Sequence, residues 1–148
     1  YFSHGHTYEA HPLTLAPAIA AINEMKRLKL IERAATLGPY LERKLIELKF
    51  RHRSVGEVRG LGLFWAVDLV KDQTTKEPFN TYADKVGGTP LVVDKVAAEM
   101  MKHGVFLQAW VSHFVIAPPL IITKEEIDEG VKALDLALGI ADAAAVGN

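Results

Sequence analysis

The chain has 148 residues, enough for one domain, and its 49% apolar and 24% charged content is that of an ordinary globular protein. Seventeen basic residues face eighteen acidic ones for a net charge of −1, which leaves no basic field for nucleic acid and no polybasic segment for a membrane surface. With no cysteine there is no disulfide framework and no thiolate chemistry, and no apolar run reaches the ~20 residues of a membrane span, so a cytoplasmic setting is expected.

The opening stretch, Tyr1-Phe2-Ser3-His4-Gly5-His6-Thr7-Tyr8-Glu9-Ala10-His11-Pro12-Leu13, sets histidines, a glycine and a hydroxyl ahead of a long apolar run. Proline is favoured in the first turn of a helix. The stretch therefore reads as a strand end or loop entering a helix, with Thr7 and backbone N–H groups on the loop. Donors so placed suit an anion such as phosphate. An alternative uses the histidines. His4 and His6 on a strand end would share a side, and with His11 they could offer zinc three nitrogens.

Leu15, Ala18, Ile19, Ile22 and Met25 recur at helical steps and predict a helix from about Leu13 to Leu28, with Pro17 in its first turn or at a kink. A second helix is predicted from about Ile31 to Phe50. Its apolar side carries Ala34, Leu37, Leu41, Leu45 and Leu48. Its charged side, with Glu32, Arg33, Lys44 and Lys49, reads as solvated. Gly38-Pro39 predicts a kink within one helix, because the apolar side stays in phase across it. Arg51-His52-Arg53 reads as an exposed turn.

Val55 to Val70 is β-rich, and Gly60 and Gly62 between two apolar runs predict a bent strand or tight hairpin. Gly60-Leu61-Gly62 lacks the third glycine and following helix of a dinucleotide fingerprint. Arg59 reads as a structural ion pair at a strand end, with a substrate carboxylate as the alternative. Residues 71–89 read as a long polar loop, and long loops are often functional. Pro90 to about His103 is a helix stopped by Gly104. Val105–Trp110 and His113–Ala117 read as two short antiparallel strands. Thr123 and Glu126 form a capping box for a last helix to about Gly139, with Ile127, Val131, Leu134 and Leu138 inward. The alanine-rich tail from Ile140 to Asn148 extends or frays from it. The order predicts an α+β domain with helices on one face of an antiparallel sheet.

His4-Gly5-His6-Thr7-Tyr8-Glu9-Ala10-His11-Pro12 resembles the HG-x-T-[YF]-x-[GA]-[HN]-P segment of class III (omega) aminotransferases, pyridoxal-phosphate enzymes of fold type I. Val55-Gly56-Glu57-Val58-Arg59-Gly60-Leu61-Gly62-Leu63 agrees with that family in register. So does Ala117-Pro118-Pro119-Leu120-Ile121-Ile122-Thr123, followed by Glu125-Glu126-Ile127-Asp128. The resemblance implies the C-terminal small domain of a fold type I enzyme. Residues 1–12 would be a cofactor-phosphate loop of the large domain, and residues 13–148 a connecting helix and the small domain. The large domain would then cover much of the apolar surface of the first helix. It implies that Thr7, with His6 beside it, binds the phosphate of pyridoxal 5'-phosphate held by the neighbouring subunit of a homodimer. The Schiff-base lysine would precede residue 1, so no catalytic residue lies in this chain, which alone would be inactive. The loop at 71–89 would be a variable excursion, a lid or dimer contact.

The implied substrates are an amine or amino acid and a 2-oxo acid. Two positions carry a carboxylate-binding arginine in parts of the family, and here they are Val115 and Gln108. Gln108 could still hydrogen-bond a carboxylate or sulfonate, with Trp110 and His113 lining the pocket, unless Trp110 is buried in the core. A same-fold aminomutase, decarboxylase or racemase, or a non-catalytic module, remain alternatives.

Overall fold

The structure, a computed structural model, describes residues 3–145. Tyr1, Phe2 and the last three residues of the expected tail lie outside the described residues. Helices α1 (Pro12–Arg27) and α2 (Leu30–Arg51) lead into strands β1 (Val55–Leu61) and β2 (Phe64–Leu69). A short helix α3 (Tyr82–Val86) and helix α4 (Val92–Lys102) precede β3 (Gln108–Trp110) and β4 (His113–Ile116), and α5 (Lys124–Ala144) ends the described chain. The strands form one antiparallel sheet in the order β1-β2-β4-β3.

Alternation along the strands separates the two faces of the sheet. Trp65, Val67 and Leu69 of β2 and Phe114 of β4 point into a core with Leu41, Leu45 and Leu48 of α2. Val93, Val96 and Met100 of α4 and Ile127, Leu134 and Leu138 of α5 complete it. Arg59, Leu61, Phe64, Gln108 and Trp110 lie exposed on the other face. This is the expected α+β layering. α2 runs as one helix through Gly38-Pro39, its buried leucines three and four residues apart. At Gly38 the helix meets the β1–β2 hairpin so closely that a Cβ would lie 2.7 Å from the Cα of Gly62. Leu61 pairs with Phe64, and Gly62 takes φ +58° at the first of two loop positions, the place a type II′ turn reserves for glycine.

α1 behaves differently. It buries no residue, and Leu13, Ile19 and Ile22 stand exposed along it. Pro17 lies inside it, beyond the first turn. Thr123 caps α5 as expected: its Oγ1 accepts from the Glu126 N–H at 3.2 Å, and the Glu126 carboxylate accepts from the Thr123 N–H at 2.8 Å. The helix continues past Gly139 to Ala144.

Several expectations need correction. The 71–89 stretch is not all loop, because Thr81 and Asp84 form a second capping box that starts α3. α4 begins at Val92 rather than Pro90, and its first N–H donates to the Asn80 side chain at 3.0 Å. β3 holds only Gln108–Trp110, since pairing with β4 stops at Gln108 and Val115. The charged side of α2 is not merely solvated. Arg33 donates to the backbone oxygens of Leu120, Ile121 and Ile122 at 3.0–3.3 Å, and Lys44 pairs with Asp128 at 2.9 Å.

The largest correction is His52, which is buried rather than part of an exposed turn. Its ring nitrogens lie 2.7 Å from carboxylate oxygens of Asp142 and Asp135, two turns apart on α5. Ser54 donates its N–H and Oγ–H to Asp142 at 3.0 and 2.7 Å, Arg51 pairs with Asp135 at 2.8 Å, and Arg53 donates to the Asp142 backbone oxygen. This polar cluster fastens the end of α2 to α5.

Candidate functional site

Two places gather the residues singled out in the sequence. The first is the segment before α1. Residues 7–10 form a turn in which Ala10 takes φ +61°, and the Glu9 N–H donates to the His6 backbone oxygen at 3.0 Å. The Glu9 carboxylate accepts from the His6 N–H at 3.2 Å. His11 is the N-cap of α1, its Nδ1 accepting from the Leu13 N–H at 3.2 Å, and Pro12 opens the helix. Thr14 donates its hydroxyl to the backbone oxygens of Tyr8 and His11. Thr7 stands exposed in the turn, and its hydroxyl makes no hydrogen bond among the described residues. A free hydroxyl beside exposed backbone N–H groups is a donor set that fits a phosphate oxygen.

The histidines of this segment do not converge on a metal. His4 and His6 meet edge to face at 5.2 Å, while His11 packs edge-on against Tyr8 and spends Nδ1 on the cap. Among the described residues no group of three histidine, aspartate or glutamate side chains could hold a metal ion.

The second place is the outer face of the sheet. β3 and β4 set Gln108 opposite Val115 and Trp110 opposite His113, and β2 sets Asp68 on the other side of His113. Opposite residues of an antiparallel pair have Cβ atoms about 5 Å apart. The two positions where the resemblance expects an arginine are therefore one spot in space, and neither supplies a charge. Gln108 is exposed and makes no hydrogen bond among the described residues. Trp110 is 47% exposed on this face, not in the core. Arg59 is held by Asp68, which bears out the structural ion pair. Burial, with the Arg59 charge second, pushes His113 below the ordinary histidine value and favours its neutral ring. A hollow of about 360 Å³ lies over Arg59, Asp68, Lys76 and His113. An apolar groove of about 630 Å³ runs between α2, α4 and α5, with Gln108 and Val115 on its wall.

One residue on this face was missed in the sequence. Lys85 of α3 places its ammonium 3.6 Å from the Trp110 ring centroid. The Thr81–Asp84 box is the local signal that would have found its helix; the contact with Trp110 is non-local. Among the described residues no helix is long and apolar enough to cross a membrane.

Residues 1–138 match the aminotransferase class-III family. The chain is 43% identical over 136 residues to an uncharacterised aminotransferase of Schizosaccharomyces pombe, covering 86% of this chain and 28% of that protein. It is 36% identical over 145 residues to the leucine/methionine racemase of Thermococcus litoralis, covering 98% of this chain and 31% of that one. Its structure is similar to that of taurine:2-oxoglutarate aminotransferase from Bifidobacterium kashiwanohense in complex with PLP and glutamate, with a TM-score of 0.83 and 30% identity over 97% of this chain and 31% of that chain. The chain thus spans under a third of the length of these relatives. It belongs to the class III aminotransferase family, pyridoxal-phosphate enzymes of fold type I.

Proposed function

We propose that the protein acts as part of a pyridoxal-phosphate aminotransferase that moves an amino group from an amine or amino acid to a 2-oxo acid. The observation that carries this reading is the exposed Thr7 hydroxyl in the turn before α1, which makes no hydrogen bond among the described residues, within a chain whose residues 1–138 match the family. Pyridoxal phosphate supplies the electron sink that amino-group transfer needs. This chain's share is to bind and to recognise. Thr7 donates its hydroxyl to the cofactor phosphate, and the turn at His6 presents the neighbouring backbone. Gln108 offers an amide N–H to the substrate, Trp110 an aromatic face, and His113 a neutral ring. No residue of this chain takes the Schiff-base role, so the chain alone is inactive.

In this reading residues 1–12 belong with the large domain and residues 13–148 form the connecting helix and small domain. The phosphate held by Thr7 belongs to the partner subunit of a homodimer in the cytoplasm. The exposed apolar residues of α1, which are not buried among the described residues, support a helix that lies between two larger parts.

The test is a titration of the full-length enzyme with pyridoxal phosphate, followed by its absorbance. Thr7→Ala is expected to weaken binding at least tenfold, the loss of one charge-assisted hydrogen bond of about 1.5–3 kcal/mol. Affinity that ignores the substitution would remove Thr7 from the site, and a wild type without the absorbance would remove the function.

A racemase reading is favoured by one observation, the similarity to the Thermococcus racemase over 98% of the chain. Chiral analysis of an amino acid incubated without any 2-oxo acid separates the two. Inversion under those conditions favours the racemase, whereas amino transfer that depends on the acceptor favours the aminotransferase.

A further inference from the structure

The outer sheet face carries the positions at which the family resemblance expects a carboxylate-binding arginine. Gln108 and Val115 face each other across β3 and β4, and both are uncharged. The neighbouring cations are accounted for. Arg59 is held by Asp68, Lys71 by Glu77 at 2.8 Å, and Lys76 by the backbone oxygen of Gly56 at 2.8 Å. Burial and Arg59 keep His113 toward its neutral form.

Lys85 is different. Its ammonium sits 3.6 Å from the Trp110 ring centroid, and among the described residues it has no carboxylate partner. The nearby Asp84 carboxylate is occupied by the N–H and hydroxyl of Thr81, at 2.6 and 2.9 Å. A cation on an aromatic face is held weakly enough for an anion to draw it away. Trp110 and Gln108 are two residues apart on one strand and so point to the same side about 7 Å apart. The turn of a flexible four-carbon stem covers that distance.

We propose that Lys85 is the specificity-determining cation of this face. Its ammonium leaves or shares the Trp110 ring to bind the carboxylate or sulfonate of the substrate, while the Gln108 amide donates to the same group. The assignment rests on the aminotransferase reading. It replaces the arginine absent from positions 108 and 115 with a lysine delivered from α3. The Thr81–Asp84 box and the turn at Gly87 then have a role beyond local structure, because they fix the helix that aims it.

The experiment uses the full-length holoenzyme as wild type, Lys85→Met and Lys85→Arg, with the cofactor absorbance checked in each. The donors are β-alanine and taurine, which carry an anionic group, and propylamine, which does not. The ratio of kcat/KM for the anionic donors over propylamine is the readout. Lys85→Met is expected to lower that ratio about tenfold, the low end for one charge-assisted hydrogen bond. Lys85→Arg, which keeps the charge, is expected to retain most of it. A ratio unchanged in Lys85→Met, or a wild type with no preference for the anionic donors, overturns the assignment of Lys85 while leaving the aminotransferase standing. A wild type with no cofactor absorbance overturns the proposed function itself and the assignment with it.

Discussion

Replacing Asp142 by alanine should unfasten α5 from the end of α2. The Asp142 carboxylate accepts from the Ser54 N–H at 3.0 Å and the Ser54 Oγ–H at 2.7 Å, and it lies 2.7 Å from His52 Nδ1. Ser54 is fully buried, so its N–H cannot turn to water. A buried donor left unpaired costs about 1–3 kcal/mol. The Ser54 hydroxyl can rotate toward another acceptor, but its N–H cannot, and the His52 ring loses one of its two carboxylates. The expected loss is about 3 kcal/mol, read from urea unfolding followed by circular dichroism with an unchanged slope. A loss below about 1 kcal/mol would refute the accounting, because one unsatisfied buried donor alone should cost that much. The same cluster sets an acid limit. Burial raises both carboxyls, but the hydrogen bonds that Asp142 shares with Ser54 and His52, and that Asp135 shares with His52 and Arg51, outweigh it and hold both below the ordinary aspartate value. Groups lowered in the folded state give stability that is complete above their unfolded pKa of about 3.9 and lost as pH falls through the lower folded value. The wild type should therefore lose stability below about pH 4, and Asp142→Asn, with no charge to protonate there, should lose less over the same span.

Two further substitutions test the packing. Gly38→Ala should cost about 2 kcal/mol although alanine is the better helix former by ~1 kcal/mol, because its Cβ would meet the backbone of Gly62 at 2.7 Å and backbone cannot give way as a flexible side chain can; a thermal midpoint unchanged or raised would count against the close approach. Thr123→Ala removes the acceptor for the Glu126 N–H and should cost about 1 kcal/mol, with faster hydrogen exchange confined to the first turn of α5. Exchange spread evenly along the helix would argue that the cap acts through something other than that turn.

What the sequence made legible was local. The leucine spacing of α2, the Thr123 box and the Gly62 hairpin each depend on residues within a few positions of one another, and each was found where periodicity and turn chemistry placed it. α3 was missed although its Thr81–Asp84 box is equally local, because the polar composition around it outweighed a five-residue helix. His52 could not be read, since its partners Asp135 and Asp142 lie 83 and 90 residues away and only the packing of α5 against α2 brings them in. Arg33 is the same kind of case: a charge on a helix surface looks solvated until the carbonyls it binds, 87 to 89 residues later, are placed beside it. For the site, the positions came from the sequence and the neighbours from the fold. Gln108, Trp110 and His113 do share one exposed face, but the Lys85 contact with Trp110 depends on where α3 docks.

The two-residue period of the strands separates the outer face of the sheet from the core. On β4, Phe114 is fully buried while His113 and Val115 point the other way, and on β2, Trp65 and Val67 are buried while Ala66 and Asp68 face outward. A residue on the outer face can change without opening a cavity in the core, whereas a one-residue slip in register would exchange the two sets. The register is held from both sides: Gly62 fixes the β1–β2 turn against Gly38, and Phe114 sits inside a core shared by three helices. The outer face is thus displayed by a frame that its own side chains hardly support. A substitution at Val115 or Gln108 should therefore cost the fold that carries them little.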